Sequence, residues 1–197
     1  MDLIMRKTAW PAVLFVLFLL VPAPAEAAGP RFQLTLGAAG FRADDALLRD
    51  IYGGFLTGYQ ARLSYRFAGR WSVFAGYRTF RAEGTPNVVG EEFEPPAGRL
   101  DMELDSWRGG FQYDLPAGRW TISLAAGVAR VTCRESWPEA DLSADRTVFG
   151  AVFSAGADVV LFGPLGLFAR LELGPTERKD EILLGGFEAV GGVSLRF

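Results

Sequence analysis

What constrains this chain most is a two-residue alternation of apolar and polar side chains that recurs in block after block. The clearest block sets Tyr59, Ala61, Leu63, Tyr65 and Phe67 against Gln60, Arg62, Ser64 and Arg66. Successive side chains of a strand point to opposite faces, so each such block reads as a strand with one apolar face. Similar blocks run from Phe32 to Ala38, Trp71 to Arg78, Arg108 to Leu115 and Trp120 to Val128. Three more run from Phe149 to Phe162, Leu167 to Leu173 and Glu188 to Phe197. That makes eight expected strands, with no convincing helix-period segment between them.

The links between blocks alternate in length. Ala68-Gly69-Arg70, Pro116-Ala117-Gly118-Arg119 and Gly163-Pro164-Leu165-Gly166 are short and rich in Gly and Pro, as tight turns require. Four longer links cover roughly Phe41–Leu56, Arg81–Arg99, Arg134–Asp145 and Pro175–Gly186. Short and long in turn is the pattern of an antiparallel meander crossing a membrane. Eight is even, so both ends of the meander lie on the short-turn side.

The N-terminus points to export. Arg6 and Lys7 precede an apolar run of 14 residues, Ala9 to Pro22, and then Pro24-Ala25-Glu26-Ala27. A basic start, a short apolar stretch and an A-x-A site predict a signal peptide over 1–27, cut after Ala27. The run falls short of the roughly 20 residues a membrane-spanning helix needs, and Pro11 interrupts it. Removing 27 of 197 residues leaves 170, enough for one domain, 28–197.

Two barrels fit the alternation. A soluble barrel turns its apolar face inward around a ligand, and a membrane barrel turns it out toward lipid. Tyr59, Phe67, Trp71, Tyr77, Tyr113 and Trp120 fall near block ends, where an aromatic girdle meets lipid headgroups, and this favours the membrane form. The other face carries Arg62, Arg78, Arg108, Arg170, Asp158, Glu172 and Glu188 among small residues. An eight-stranded lumen is filled by side chains, so these charges are expected to pair across it as a rigid plug. The competing reading is a gate or narrow path for ions.

One stretch breaks step. Leu100, Met102 and Leu104 are even-numbered, whereas the apolar residues from Trp107 onward are odd-numbered. Asp101, Glu103 and Asp105 would then share the lipid face, at a cost of a few kcal/mol each near the midplane. Either the strand extends above the membrane, which we expect, or a bulge near Asp105–Ser106 shifts the phase.

A leader, eight alternating strands, short turns on one side and a final Leu195-Arg196-Phe197 resemble the small outer-membrane β-barrel proteins of the OmpA-like, OmpX-like and OmpW-like superfamily. The resemblance covers 29–197 and implies an all-β, eight-stranded antiparallel up-and-down transmembrane β-barrel in a bacterial outer membrane. It also implies that Phe197 belongs to the C-terminal signal read by the barrel-assembly machinery. Residues 45–54 resemble a first-loop element of some small barrels, which implies no role. The peptidoglycan-binding domain that follows the barrel in full-length OmpA-type proteins is not expected here.

The composition narrows the chemistry. The chain has no His, one Cys and a net charge of −3. Histidine-dependent catalysis, Cys-based zinc sites and a basic nucleic-acid surface are therefore excluded. Lipid A deacylases and acyltransferases, which the resemblance brings to mind, need a His near a Ser. The only Lys after the leader, Lys179, falls in a long link. We expect no catalysis and no cofactor. Acidic clusters at Glu91, Glu92, Glu94, Asp101, Glu103 and Asp105, and at Glu135, Glu139, Asp141 and Asp145, read as solvated loops, with divalent-cation binding as the alternative. Phe93, Trp137 and Ile182-Leu183-Leu184 would contact a partner or pack over the barrel mouth, and Cys133 reads as a packing residue. The expected partners are outer-membrane lipids and lipopolysaccharide, the assembly machinery and an extracellular partner, around a monomer. The expected role is structural or interactive, by anchoring the envelope or binding through surface loops. The alternatives are a narrow porin-like channel and a soluble periplasmic ligand-binding barrel.

Overall fold

The computed structural model describes residues 30–85, 98–174, 178–179, 182–183 and 185–197. The expected leader lies outside these residues, as do Glu91, Glu92, Phe93, Glu94 and Leu184. Eight strands form the fold: β1 (Phe32–Ala43), β2 (Leu56–Ala68), β3 (Trp71–Gly84), β4 (Leu100–Ala117), β5 (Trp120–Trp137), β6 (Leu142–Phe162), β7 (Leu165–Leu173) and β8 (Gly186–Arg196). Each pairs antiparallel with its sequence neighbours, and β8 returns to pair with β1, closing the barrel. A two-residue ladder joins Arg178–Lys179 to Ile182–Leu183 in the last long link. Closure leaves the barrel sheet no open edge.

The faces are sorted as a membrane barrel requires. Leu36, Leu63, Val73, Phe111, Leu124, Phe153, Leu171 and Val193 point outward and are exposed, while Thr35, Arg62, Ser64, Arg78, Gln112, Asp158, Glu172 and Glu188 point inward and are buried. A soluble ligand-binding barrel would show the reverse. On β5 the apolar outer face runs from Trp120 to Val128 and ends at Arg130, 11 residues from start to finish. At about 3.3 Å per residue and a tilt near 40°, that span stands about 25 Å tall, the height of a transmembrane barrel's apolar band.

The three short turns place Gly69, Gly118 and Gly163 at positive φ (48°, 66° and 52°). Each is the first of two central turn residues, the position that type II′ hairpins give to glycine. Small register shifts next to two of these turns, between Arg66 and Ala68 and between Val160 and Phe162, are bulges that the alternation did not reveal.

Strand lengths are unequal. β4 and β5 have 18 residues each and β6 has 21, against 9 in β7 and 11 in β8. About 9–11 residues cross the bilayer, so β3 to β6 rise as a wall above the belt on one side. β4 keeps one register with β3 from Leu100 to Tyr113 and with β5 from Asp101 to Ala117, so there is no bulge at Asp105–Ser106. Met102 and Leu104 face inward and are buried, and Asp101, Glu103 and Asp105 lie on the outer face of the wall. The link expected over Arg134–Asp145 is mostly strand, turned by a 3-10 segment, Pro138–Ala140, with Asp141 at φ 53°.

The first link departs from the all-strand expectation. It holds a helix, α1 (Ala46–Tyr52). Asp45 Oδ1 accepts from the Leu48 amide at 3.2 Å and so caps the first turn. Seven residues do not hold a helix alone in water. The Arg49 guanidinium donates to the Ala43 and Asp44 carbonyls at 2.8 and 2.7 Å, and the Ile51 carbonyl accepts from Thr85 at 3.3 Å. Leu48 and Tyr52 are buried in the apolar cluster at the long-link end of the barrel, each contributing roughly 1.5–3 kcal/mol.

Candidate functional site

The lumen has two tiers. Beneath α1 lies an apolar tier of Phe41, Leu56, Phe80, Met102, Leu104, Val131, Cys133, Val148 and Val152, all buried. Each sits on an inward position of its strand, at or beyond the top of the belt. Phe41 and Phe80 pack with ring centroids 5.5 Å apart and planes tilted by 37°. Alternation alone predicts an inner face of charges and small residues, and so does not reveal this tier.

Below it lies the ionic tier, centred on Arg78, Arg108, Glu172 and Glu188. Glu172 and Glu188 occupy facing register positions on β7 and β8, while the two arginines come from the adjacent pair β3 and β4 across the lumen. Each arginine touches both carboxylates. Arg78 Nη2 donates to Glu172 Oε2 at 2.8 Å and Arg108 Nη2 donates to Glu188 Oε1 at 2.6 Å. The Arg78–Glu188 and Arg108–Glu172 pairs complete the square. Gln60 Oε1 accepts from Arg78 at 2.5 Å and Ser106 Oγ accepts from Arg108 Nε at 2.9 Å. All four ionic side chains are almost wholly buried, Arg78 at 1% exposure and Glu188 at 2%. Two neighbouring buried carboxylates are tolerable because two guanidinium groups hold them.

The seven charges singled out from the sequence do not form one network. Arg170 stands at the margin, 3.9 Å from Glu172 and 5.4 Å from the centre of the Phe168 ring. Gly156 faces it, where an added methyl would lie 3.2 Å from Arg170 Cβ. Among the described residues Arg62 reaches no carboxylate. It donates to Gln112 Oε1 at 2.5 Å and its guanidinium carbon lies 3.6 Å from the Phe74 ring centre, a cation–π contact. Asp158 belongs to a separate group near the short turns, where it pairs with Arg196 and accepts from Gln33 Nε2 at 2.9 Å. Asp114 lies at that end too, accepting from Gln112 at 2.7 Å and Ser72 at 3.4 Å. The uncharged partners Gln60, Gln112, Ser72 and Ser106 share the inward parity, the one signal that could have marked them.

The aromatics expected in the girdle differ in exposure. Tyr59, Phe67 and Trp120 are exposed on the outer face, and Tyr77 packs 4.9 Å from Trp107 while donating to Asp105 Oδ1 at 2.6 Å. Trp71 and Tyr113 share the outward register with Val73, Phe111 and Leu124 but are only 9% and 7% exposed, packing on each other with centroids 5.0 Å apart. Trp107, Phe149 and Phe162 are further exposed aromatics. Phe197 closes the barrel: its amide and carbonyl exchange hydrogen bonds of 2.9 and 2.8 Å with Phe32, and the two rings stack at 5.9 Å.

Free space within the ionic tier is scarce. The gap among Gln60, Arg62, Phe74, Arg78, Arg108 and Glu172 is about 10 Å³, room for about one water. Outside, the wall carries a ladder of ion pairs across its strands: Arg81–Glu103 at 2.9 Å, Arg134–Glu103 at 3.6 Å and Arg134–Asp105 at 3.5 Å. Among the described residues no three acidic or cysteine side chains converge to hold a metal ion.

No protein-family model matches the sequence, and a sequence search of curated proteins returns no match. Solved structures do resemble the fold. OprG of Pseudomonas aeruginosa superposes with a TM-score of 0.65 at 13% identity, covering 86% of this chain and 96% of that one. Ail, the attachment invasion locus protein of Yersinia pestis, solved with the heparin analogue sucrose octasulfate, gives 0.61 at 15% identity, over 86% of this chain and 100% of that one. Neisserial surface protein A gives 0.61 at 16% identity, over 87% and 100%. In closure, strand number and connectivity the chain has the fold of the small eight-stranded outer-membrane β-barrels.

Proposed function

We propose that this chain is an integral outer-membrane protein with a lumen closed to solutes. Its barrel anchors and displays the wall formed by β3 to β6 and the α1 cap. The short turns then face the periplasm, and the wall faces outward. The observation that carries this reading is the filled lumen, with an ionic square at mid-barrel, an apolar tier above it and a helix over the mouth. The sorting of apolar side chains to the outside supports the membrane location. The role is anchoring or surface interaction, with outer-membrane lipids and lipopolysaccharide as surroundings and a monomer as the working unit. Assembly would proceed through the C-terminal strand that ends at Phe197.

The reading is non-catalytic. The two central carboxylates are buried in arginine contacts and out of reach of substrate, and the chain has no histidine to act as base. Planar-bilayer recording of the refolded chain tests closure. A closed lumen gives no steady open state, whereas sustained conductance would support the narrow channel instead. Recovery from the soluble periplasm without detergent would contradict the membrane location.

A further inference from the structure

The short-turn rim carries a repeated arrangement that neither closure nor the lumen explains. An arginine directly precedes the first aromatic of three upward strands: Arg31-Phe32, Arg70-Trp71 and Arg119-Trp120. In two of these the turn is the same tetrapeptide, Ala-Gly-Arg-Trp, at 68–71 and 117–120. The backbone sets all three at one height. The Arg31 carbonyl accepts from Arg66 at 2.7 Å, that of Arg70 from Asp114 at 2.9 Å and that of Arg119 from Val160 at 3.1 Å, each on the following strand.

Their charges are largely unspent. Arg31 and Arg119 are exposed and Arg70 is half-buried. Among the described residues neither Arg31 nor Arg70 has an ion-pair partner, and Arg119 Nη2 donates only to the Val160 and Leu161 carbonyls, at 3.2 and 3.1 Å. The acids at this end among the described residues, Asp114 and Asp158, are buried and taken up by the lumen. At the opposite end the exposed Arg81, Arg99 and Arg134 are paired with acids of the wall, while Arg42 and Arg130 are exposed singly, without the repeated turn that sets the three rim arginines at one height.

We propose that this rim is a collar for the phosphate groups of anionic phospholipids in the periplasmic leaflet. Each guanidinium stands one residue beyond the first aromatic of its strand, and Phe32, Trp120 and Phe197 are exposed at that level, so the charges lie at headgroup depth. Guanidinium groups bind phosphate oxygens in a bidentate fork. A periplasmic glycan or acidic protein would find these groups at the membrane surface instead of projecting beyond it. The collar rests on the membrane reading above, and the experiment separates the two.

The folded chain is placed in phosphatidylcholine bilayers containing spin-labelled phosphatidylglycerol or spin-labelled phosphatidylcholine, and the motionally restricted lipid is quantified. The collar predicts at least about a twofold preference for phosphatidylglycerol, falling in high salt. The double variant Arg31→Gln/Arg70→Gln should lose most of it, while Arg31→Lys/Arg70→Lys and the outer control Arg81→Gln/Arg99→Gln should keep it. If the Gln variant does not fold, the salt titration of the wild type still decides. A wild type with equal affinity for both lipids, or a preference untouched by salt or kept by the Gln variant, overturns the collar. No restricted lipid with either label overturns the membrane reading itself.

Discussion

At the scale of the residue, the ionic square is the feature with most at stake. A buried ion pair adds little beyond a well-packed apolar pair, but removing one partner leaves the other charged and unsolvated. Glu172→Gln should therefore destabilise the folded barrel by about 3 kcal/mol or more in urea unfolding from lipid vesicles. Arg81→Gln, in an exposed pair of the outer wall, should cost less than about 1 kcal/mol. Equal effects would mean that the square does not hold the lumen. The outer face has its own test: Leu171, exposed at mid-belt, should cost about 2–4 kcal/mol when replaced by Arg, again by unfolding in lipid. Which face a residue occupies was legible in the sequence, because strand parity states it directly. Partnership was not. Arg78 meets Glu172 94 positions away, and that meeting depends on the register of every strand between them. Arg62, given the same parity, settles on Gln112 and Phe74 instead.

At the scale of the element, α1 is the piece that alternation could not reveal. Leu48, Ile51 and Tyr52 do follow the i, i+3, i+4 spacing of a helix face, but over so few residues that the pattern merges with a polar link. Docking of α1 protects Cys133, which is 3% exposed and whose thiol is pushed up to about 12, chiefly by burial. Leu48→Asp should undock the helix and raise the rate of Cys133 alkylation at pH 8 by tenfold or more, about 1.4 kcal/mol of lost protection. An unchanged rate would show that α1 does not cover this tier. Tyr52 donates to Glu135 Oε1 at 2.9 Å, and burial followed by the Glu135 charge raises its phenol well above the usual range. The folded chain therefore prefers Tyr52 protonated. Its contribution is complete below the ordinary phenol value near 10 and fades as the pH rises above it. Thermal melts between pH 8 and 11 should lose stability in the wild type, and the loss should be smaller in Tyr52→Phe.

At the scale of the whole molecule, one sheet separates three environments. Lipid lies around the belt, an ion-paired interior fills the lower lumen, and an apolar interior under α1 fills the upper. Strand number, closure and the outward apolar face were legible because each strand repeats the same two-residue rule. The wall and the upper tier were hidden because, above the bilayer, the outer face turns polar while the inner turns apolar. Met102 and Leu104 thus look out of step although β4 never changes register.

The account depends on adjacent residues of one strand meeting different media. Spin labels at Leu63→Cys and Ser64→Cys in β2, each in a Cys133→Ala background, measure this directly through their accessibility to oxygen and to a water-soluble nickel chelate. Lipid should bathe the label at 63, with high oxygen access and little nickel. The label at 64 should be shielded from both, as its 6% exposure requires. Oxygen access at 64 with nickel access at 63 would contradict the account.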